Sequence, residues 1–172
     1  MLRLAGIIML MCGCIGLGVN KASEEKQRIS GLREIRRMIV RIQNEMVYGK
    51  RTLPEICLIF SENSTEPYNN AFLGIFKQLE ANDGRALEDI WKESLTYCMK
   101  DMPLETEEKN ILINLTDHIG IMDETAQAAD IGQSLDMITD HIAQAEAEYK
   151  NKVKVIMSVS VMAGLFLTIW LI

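Results

Sequence analysis

Histidine and cysteine are the residue types of this chain that most readily support catalysis or metal binding, and both are scarce. The two histidines, His118 and His141, have no glutamate three residues before them, so the Glu-x-x-His metal pattern of helical bundles is absent. Neither belongs to an H-E-x-x-H zinc motif. We interpret both as surface or packing residues rather than metal ligands.

The four cysteines fall into two kinds of surroundings. Cys12 and Cys14 form a C-x-C inside an apolar run, where zinc or redox chemistry is not expected. Cys57 and Cys98 occur singly on apolar helix faces, which is typical of free core thiols in a reducing compartment. The sequence also contains no P-loop, G-x-G-x-x-G or G-x-S-x-G motif. We therefore predict a non-enzymatic protein with no metal, cofactor or small-molecule substrate.

Charge is distributed unevenly along the 172 residues. The net charge of −6 and the pI near 5.0 argue against a nucleic-acid partner, because phosphate binding needs a basic face. Of the 42 charged residues, only Arg3 lies outside residues 21–154. Residues 21–51 hold nine basic and four acidic residues, whereas residues 101–148 hold twelve acidic residues and one lysine. The excess acid predicts an acidic face that is open to a basic partner.

Apolar periodicity in the central part predicts helices and no strands. Over residues 23–48, apolar residues recur at intervals of three and four, and Gly49 is a suitable C-cap. The same periodicity predicts four further helices, expected over residues 52–60, 68–79, 85–100 and 104–119. The predicted breaks between them are a polar loop at 61–67, a turn at 82–84 and Pro103.

The last predicted helix has the most regular pattern. Its apolar residues step by three and four from Ala128 to Tyr149, and no helix breaker separates it from the apolar C-terminal segment. We predict an all-α antiparallel bundle of about six helices in which the first and last helices are neighbours. Their opposite charges favour this pairing, although solvated charges on independent faces are an equal alternative for any single residue.

Both ends of the chain are nearly uncharged and predict membrane attachment. Residues 4–19 and 155–172 are sixteen and eighteen residues without charge. As helices they would be roughly 24 and 27 Å long, close to the roughly 30 Å of a hydrocarbon core. The first could instead be a cleaved signal, but no A-x-A-like site precedes Lys21. We expect a first anchor over 1–20, a helical domain over 21–154 and a second span over 155–172.

Basic residues beside the apolar ends predict the orientation of the chain. Six lysines and arginines lie within residues 21–37 and three lysines within 150–154, whereas only Arg3 lies on the other side of the predicted spans. The positive-inside rule then places the central domain in the cytoplasm and both termini outside.

Several short motifs also carry a family resemblance. They are Glu45-Met46-Val47-Tyr48-Gly49 followed by Thr52-Leu53, Trp91, Ile119-Gly120-x-x-Asp123-x-x-x-Gln127, and Ala163-Gly164-Leu165. In this order, and between two apolar ends, they resemble the stage III sporulation protein AB family of endospore-forming bacteria. The sequence departs from that family at position 119, where leucine is usual, and at 51–54, where Thr-Pro-Leu is usual. Neither departure changes the fold prediction.

The resemblance implies a place in the mother-cell membrane around the forespore, within a channel-like complex between the two cells. The cytoplasmic domain of that family is similar to the helical domains of the platform protein of type II secretion and type IV pilus systems. By that analogy, the partners would be a cytoplasmic secretion-type ATPase and the membrane proteins of the complex. Two alternatives are a helical membrane adaptor or signalling protein unrelated to sporulation, and a membrane-bound enzyme.

We expect function to lie in protein-interaction surfaces rather than in a catalytic site. The candidate contact residues are Arg33, Arg36, Arg37 and Arg41 on the first helix, Tyr48 and Gly49 at its end, and Asp123 and Gln127 before the last helix. Each has a structural alternative: a solvated or internally paired arginine, a helix end, or a helix cap.

Overall fold

The fold is helical wherever the structure describes it. The computed structural model describes residues 2–47, 49, 51–81, 84–117 and 124–171. The helices are α1 Leu2–Val47, α2 Leu53–Asn63, α3 Tyr68–Ala81, α4 Leu87–Cys98, α5 Thr106–Ile113, which continues as a 3₁₀ turn over Asn114–Thr116, and α6 Glu124–Leu171. None of the described residues forms a strand, so the all-α prediction with about six helices is confirmed.

The chain divides into two compact units. We call Met1–Ser30 with Ile142–Ile172 the terminal unit, and Gly31–His141 the central unit. The boundaries expected from the sequence, after residues 20 and 154, stay predictions. Among the residues with described positions, no helix has an apolar stretch long enough for a bilayer crossing. The two predicted spans are thus not shown by the structure.

In the terminal unit, α1 and α6 lie side by side and run in opposite directions. A Cβ added at Gly18 would lie 2.5 Å from Ser160 Oγ, and Lys152 Nζ lies 3.7 Å from Glu25 Oε2. This ion pair reverses the expected polarity, since the acid is on the first helix and the base on the last. The antiparallel register explains the reversal. It places the lysines at the end of the charged part of α6 beside the glutamates at the start of the charged part of α1.

In the central unit, one face of α1 forms much of the core. Leu32, Ile35, Ile39 and Ile42 are buried, as the three-and-four spacing predicts. Met38 is buried as well. A helix that is apolar on one face and rich in arginine on the other is held by packing, with its charged face to water.

The first turn of α2 is fixed by its own sequence. Thr52 and Glu55 form a reciprocal capping box in which the Thr52 backbone N–H donates to Glu55 Oε2 at 2.8 Å, and Pro54 occupies the first turn. The helix continues to Asn63, so the loop predicted from residue 61 was placed too early. Asn63 Nδ2 donates to the Ile59 carbonyl at 2.8 Å, which accommodates a polar residue in the last turn.

An aromatic cluster joins four helices of the central unit. The Phe60 and Phe72 rings stack with centroids 4.9 Å apart, and the Trp91 ring meets Phe72 at 5.7 Å. Trp91 is buried, and its Nε1–H donates to the Leu112 carbonyl at 3.0 Å. This bond satisfies the indole nitrogen and links α4 to α5.

Helix α6 closes the central unit against α1. Arg36 Nε donates to Thr139 Oγ1 at 3.1 Å, and Gln43 Nε2 donates to the Ala128 carbonyl at 3.4 Å. As residue numbers rise along α1 they fall along α6, so the predicted antiparallel pairing is confirmed. Ile131 and Ile138 supply the buried positions of α6 in this unit.

The bounds of α4 and α5 also differ from the predictions. Helix α4 begins at Leu87 rather than at Arg85, whose guanidinium donates to Gln78 Oε1 at 3.0 Å and pairs with Glu93. Helix α5 ends at Ile113, where the chain tightens into the 3₁₀ turn instead of continuing to residue 119. Residues 119 and 120 lie outside the described part of the chain.

Candidate interaction surfaces

Three arginines of α1 form a charged surface in the central unit. Arg33, Arg36 and Arg37 are exposed, and we call them the basic stripe. Arg36 donates to Thr139 on α6, and Arg37 pairs with Glu34 one turn earlier. The guanidinium groups of Arg36 and Arg37 thus contact neighbouring side chains while all three side chains stay exposed, and exposed guanidinium groups suit recognition of carboxylates.

Arg41, the fourth arginine proposed from the sequence, has a different environment. Its guanidinium carbon lies 5.4 Å from the centroid of the Phe60 ring, and the side chain is only partly exposed. A guanidinium over an aromatic face is a cation–π contact between α1 and α2. Arg41 therefore serves packing, and we separate it from the basic stripe.

Gly49 occupies the chain reversal after α1. Its backbone N–H donates to the Asn44 carbonyl at 3.2 Å, and an added Cβ would lie 2.7 Å from the Glu45 carbonyl oxygen. Only glycine fits so close to the preceding turn, which supports the helix-end alternative for this residue. Tyr48 and Asp123 lie outside the described residues, and so does the side chain of Gln127.

An acidic cleft of about 400 Å³ lies between α5 with its 3₁₀ turn and α6, inside the central unit. Its wall consists of carboxylates, amides and hydroxyls around a partly exposed Met137. The lining residues are Glu107, Asn110, Ile111, Asn114, Asp117, Asp130, Gln133, Ser134, Met137 and His141. An open acidic face was expected from the charge count, but these residues were not identified, because their proximity depends on how α5 docks on α6.

Behind this cleft lies a carboxylate with no exposed surface. Glu108 is fully buried, and its Oε2 accepts the Glu105 backbone N–H at 2.8 Å in a second capping box. His141 Nδ1 lies 3.9 Å from Glu108 Oε1. His141 is thus a polar neighbour of a buried carboxylate, in keeping with its interpretation as a packing residue. The E-x-x-E spacing at 105–108 is the sequence signal that would have found this box.

A second cleft of about 550 Å³ lies between residues 67–74, in and just before α3, and residues 94–101, in and just after α4. Small residues such as Ala71 and Gly74 form part of its lining, and Tyr97 stands at its edge with 83% of its surface exposed. This cleft could not be predicted from the sequence, since an exposed tyrosine within an amphipathic helix has no distinctive spacing.

The described cysteines are unreactive thiols. Burial raises the pKa of Cys57 to about 12 and that of Cys98 to about 11, so both remain protonated near neutral pH. Neither is in a disulfide. The side chains of Cys12 and Cys14 are outside the described part. Within the described residues, no group of three His, Cys, Asp or Glu side chains lies close enough to hold a metal ion.

Comparison with known proteins relates the whole chain to sporulation proteins. Stage III sporulation protein AB of Bacillus subtilis (strain 168) is 24% identical over 171 residues, which cover 99% of each chain. A solved structure of stage III sporulation protein AB matches 72% of this chain and 96% of its own length, with a TM-score of 0.64 and 21% identity. At this identity the solved structure supports the shared fold.

The family model described as stage III sporulation protein AB matches residues 3–172. That span includes the helical bundle, both apolar ends and all the motifs on which the resemblance was based. The chain therefore belongs to the stage III sporulation protein AB family.

Proposed function

We propose that this protein is a non-enzymatic, membrane-anchored assembly component of the channel complex between mother cell and forespore. The observation that carries the proposal is the family match over residues 3–172. The described residues support a binding role, because they form charged and concave surfaces. The thiols of Cys57 and Cys98 are protonated near neutral pH, which does not favour a nucleophilic role for either. Such a molecule works by binding other proteins.

Membrane attachment at both ends is part of the proposal. It rests on the uncharged segments 4–19 and 155–172 and on the basic residues that follow the first and precede the second. The exposed apolar side chains of the terminal unit add support, among them Leu17, Phe166 and Ile169. Side chains of this kind gain most from a hydrocarbon environment.

The central unit is then the part that contacts the other components. We propose that it docks a cytoplasmic secretion-type ATPase to the membrane proteins of the complex, as the similarity of the family to secretion platform proteins implies. The basic stripe and the acidic cleft are charged surfaces of this unit, and the α3–α4 cleft with Tyr97 is a mixed polar and apolar one.

Deletion of the protein in its endospore-forming host tests the proposal. We expect development to stop after engulfment, with spore formation restored by the wild-type chain and the protein recovered in the mother-cell membrane fraction. Pull-down of the full chain should recover the ATPase and the other membrane components. Normal spores from the deletion strain would contradict the role in sporulation, and a complete complex without the ATPase would contradict docking.

The basic stripe offers a sharper version of this experiment. Reversal at Arg36→Glu and Arg37→Glu is expected to weaken complex assembly while leaving the helical content unchanged, because both side chains are exposed. The matched control uses single changes: Lys77→Glu, at an exposed lysine of α3, should leave assembly unchanged where Arg37→Glu weakens it. Assembly that survives the stripe reversal would exclude these arginines as contacts.

A further inference from the structure

The basic stripe and the acidic cleft have complementary chemistry. The stripe offers three guanidinium groups, with Glu34 beside Arg37. The cleft offers carboxylates, amide groups and Met137, which is 47% exposed. Lys92 Nζ already lies 3.0 Å from Asp117 Oδ1, so Glu107 and Asp130 are the carboxylates that face an incoming cation. An arginine suits such a cleft, since its stem packs on a thioether and its head meets carboxylates.

The stripe lies level with one end of the cleft, where Met137 and His141 line it. Arg36 contacts Thr139, and Gln43 contacts the backbone at Ala128, so residues 128–139 of α6 run beside residues 36–43 of α1. The residues that α6 gives to the cleft fall in the interval 130–141. A neighbouring molecule with parallel axes could therefore bring its stripe level with the Met137–His141 end of this cleft, from which an arginine side chain extends toward Asp130.

The stripe cannot reach the cleft of its own chain. Helix α6 turns about 100° per residue, so Met137 and His141 project about 160° away from Thr139, which meets Arg36. Stripe and cleft thus lie on different sides of α6. The arginines of the stripe therefore cannot pair with Glu107 and Asp130 of their own chain.

We propose that the cleft binds the basic stripe of a second copy of this chain, so that copies associate head to tail. A second copy is favoured because it carries the complementary charges. Contacts between two different surface patches generate rings or open chains rather than closed two-fold dimers. The parallel arrangement rests on the membrane anchoring of the proposed function, which also concentrates the copies in a plane and favours a weak charged contact.

Charge reversal with complementation tests this self-association on the full chain in detergent micelles. The stripe variant is Arg33→Glu with Arg37→Glu, and the cleft variant is Glu107→Lys with Asp130→Lys. We expect the wild-type chain to self-associate more weakly as salt rises, and each variant to lose affinity about tenfold or more in sedimentation. An equimolar mixture of the two variants should associate again, because each reversed surface meets its reversed counterpart.

Matched controls separate this contact from a general charge effect. Lys77→Glu with Lys100→Glu, and Glu62→Lys with Glu80→Lys, make the same charge changes at exposed positions away from both surfaces. These controls should associate like the wild type. A monomeric wild-type chain, an unchanged stripe variant, or a mixture that stays monomeric would overturn the proposal, as would a cleft that captures another protein while the chain remains monomeric. None of these readouts depends on sporulation, so the proposed function fails or holds separately.

Discussion

Glu108 is buried in the central unit beside His141 and accepts a backbone hydrogen bond from Glu105. Its replacement by alanine is expected to lower the free energy of unfolding by about 1–3 kcal/mol, because buried donors lose their acceptor and a cavity forms. Glu108→Gln keeps the size and one acceptor and should cost less. Urea denaturation of the full chain in detergent, followed by circular dichroism, measures the difference.

Glu107 is the control for this prediction, since it is exposed and belongs to the same helical turn. Glu107→Ala should change the free energy of unfolding by no more than about 0.5 kcal/mol. Equal effects of Glu107→Ala and Glu108→Ala would show that the buried carboxylate adds nothing beyond the helix propensity of its position.

Gly18 is a second residue whose side chain, here a hydrogen atom, decides a contact. An added Cβ would lie 2.5 Å from Ser160 Oγ and 2.9 Å from its Cβ, whereas one at Gly16 would meet nothing within 4 Å. We expect overpacking in Gly18→Val to lower the free energy of unfolding of the terminal unit by about 1–3 kcal/mol, and so to lower its thermal midpoint. Gly16→Val should change the thermal midpoint little. Equal midpoints for the two valine variants would contradict the close approach.

At the scale of elements, the capping box of α2 makes a pH-dependent contribution. Hydrogen bonds from the Thr52 backbone and side chain lower the pKa of Glu55 below its ordinary value of 4.5. A carboxylate with a lower pKa in the folded state stabilises the fold above the unfolded-state pKa, and this stabilisation is lost as the pH falls through the folded-state pKa.

Glu55→Gln is therefore expected to be less stable than the wild type at about pH 6, with the gap closing at acid pH below about 4. Denaturation midpoints across this range provide the measurement. Glu62→Gln, an exposed residue of the same helix, serves as the control and should follow the wild-type profile. A gap that is constant with pH would show that the Glu55 charge has no part in the cap.

Helix faces could be predicted from the sequence more reliably than helix ends. The buried rows of α1 and α6 follow from spacing alone, because a packed helix repeats its apolar face every three to four residues. The ends depend on local hydrogen bonds, such as the one from Asn63 Nδ2 that prolongs α2, and on tertiary partners, such as those of Arg85. Neither the local hydrogen bonds nor the tertiary partners can be predicted from the spacing of apolar residues.

At the scale of the whole molecule, the proposed topology has a direct reporter test. Alkaline phosphatase fused after Ile172 should be active, and a fluorescent protein fused there should be dark, because the positive-inside rule places that end outside the cytoplasm. The same reporters inserted at the exposed turn near Gly84 should give the opposite result. Identical signals at both positions would contradict a span over residues 155–172.

The candidate surfaces show where reasoning from the sequence stops. The arginines can be predicted from the sequence, because basic residues at helical spacing indicate one helix face. The excess of acidic residues follows from their number. The cleft could not be predicted, since Glu107 and Asp130 are distant in sequence and line the same cleft only when α5 packs beside α6. Arg41 shared the spacing of the stripe, but its contact with Phe60 depends on α2.

The pairing of the first and last helices also sets an order of events during synthesis. The central unit is one continuous stretch, Gly31–His141, which can begin to collapse while the ribosome is still translating the rest. The terminal unit joins two segments that are far apart in sequence. Even Arg36 and Thr139, which form an α1–α6 contact in the central unit, are 103 residues apart. The segment Met1–Ser30 must wait for its partner until the whole central unit has been translated. An apolar segment that emerges well before its partner needs a chaperone or an early membrane insertion in the meantime.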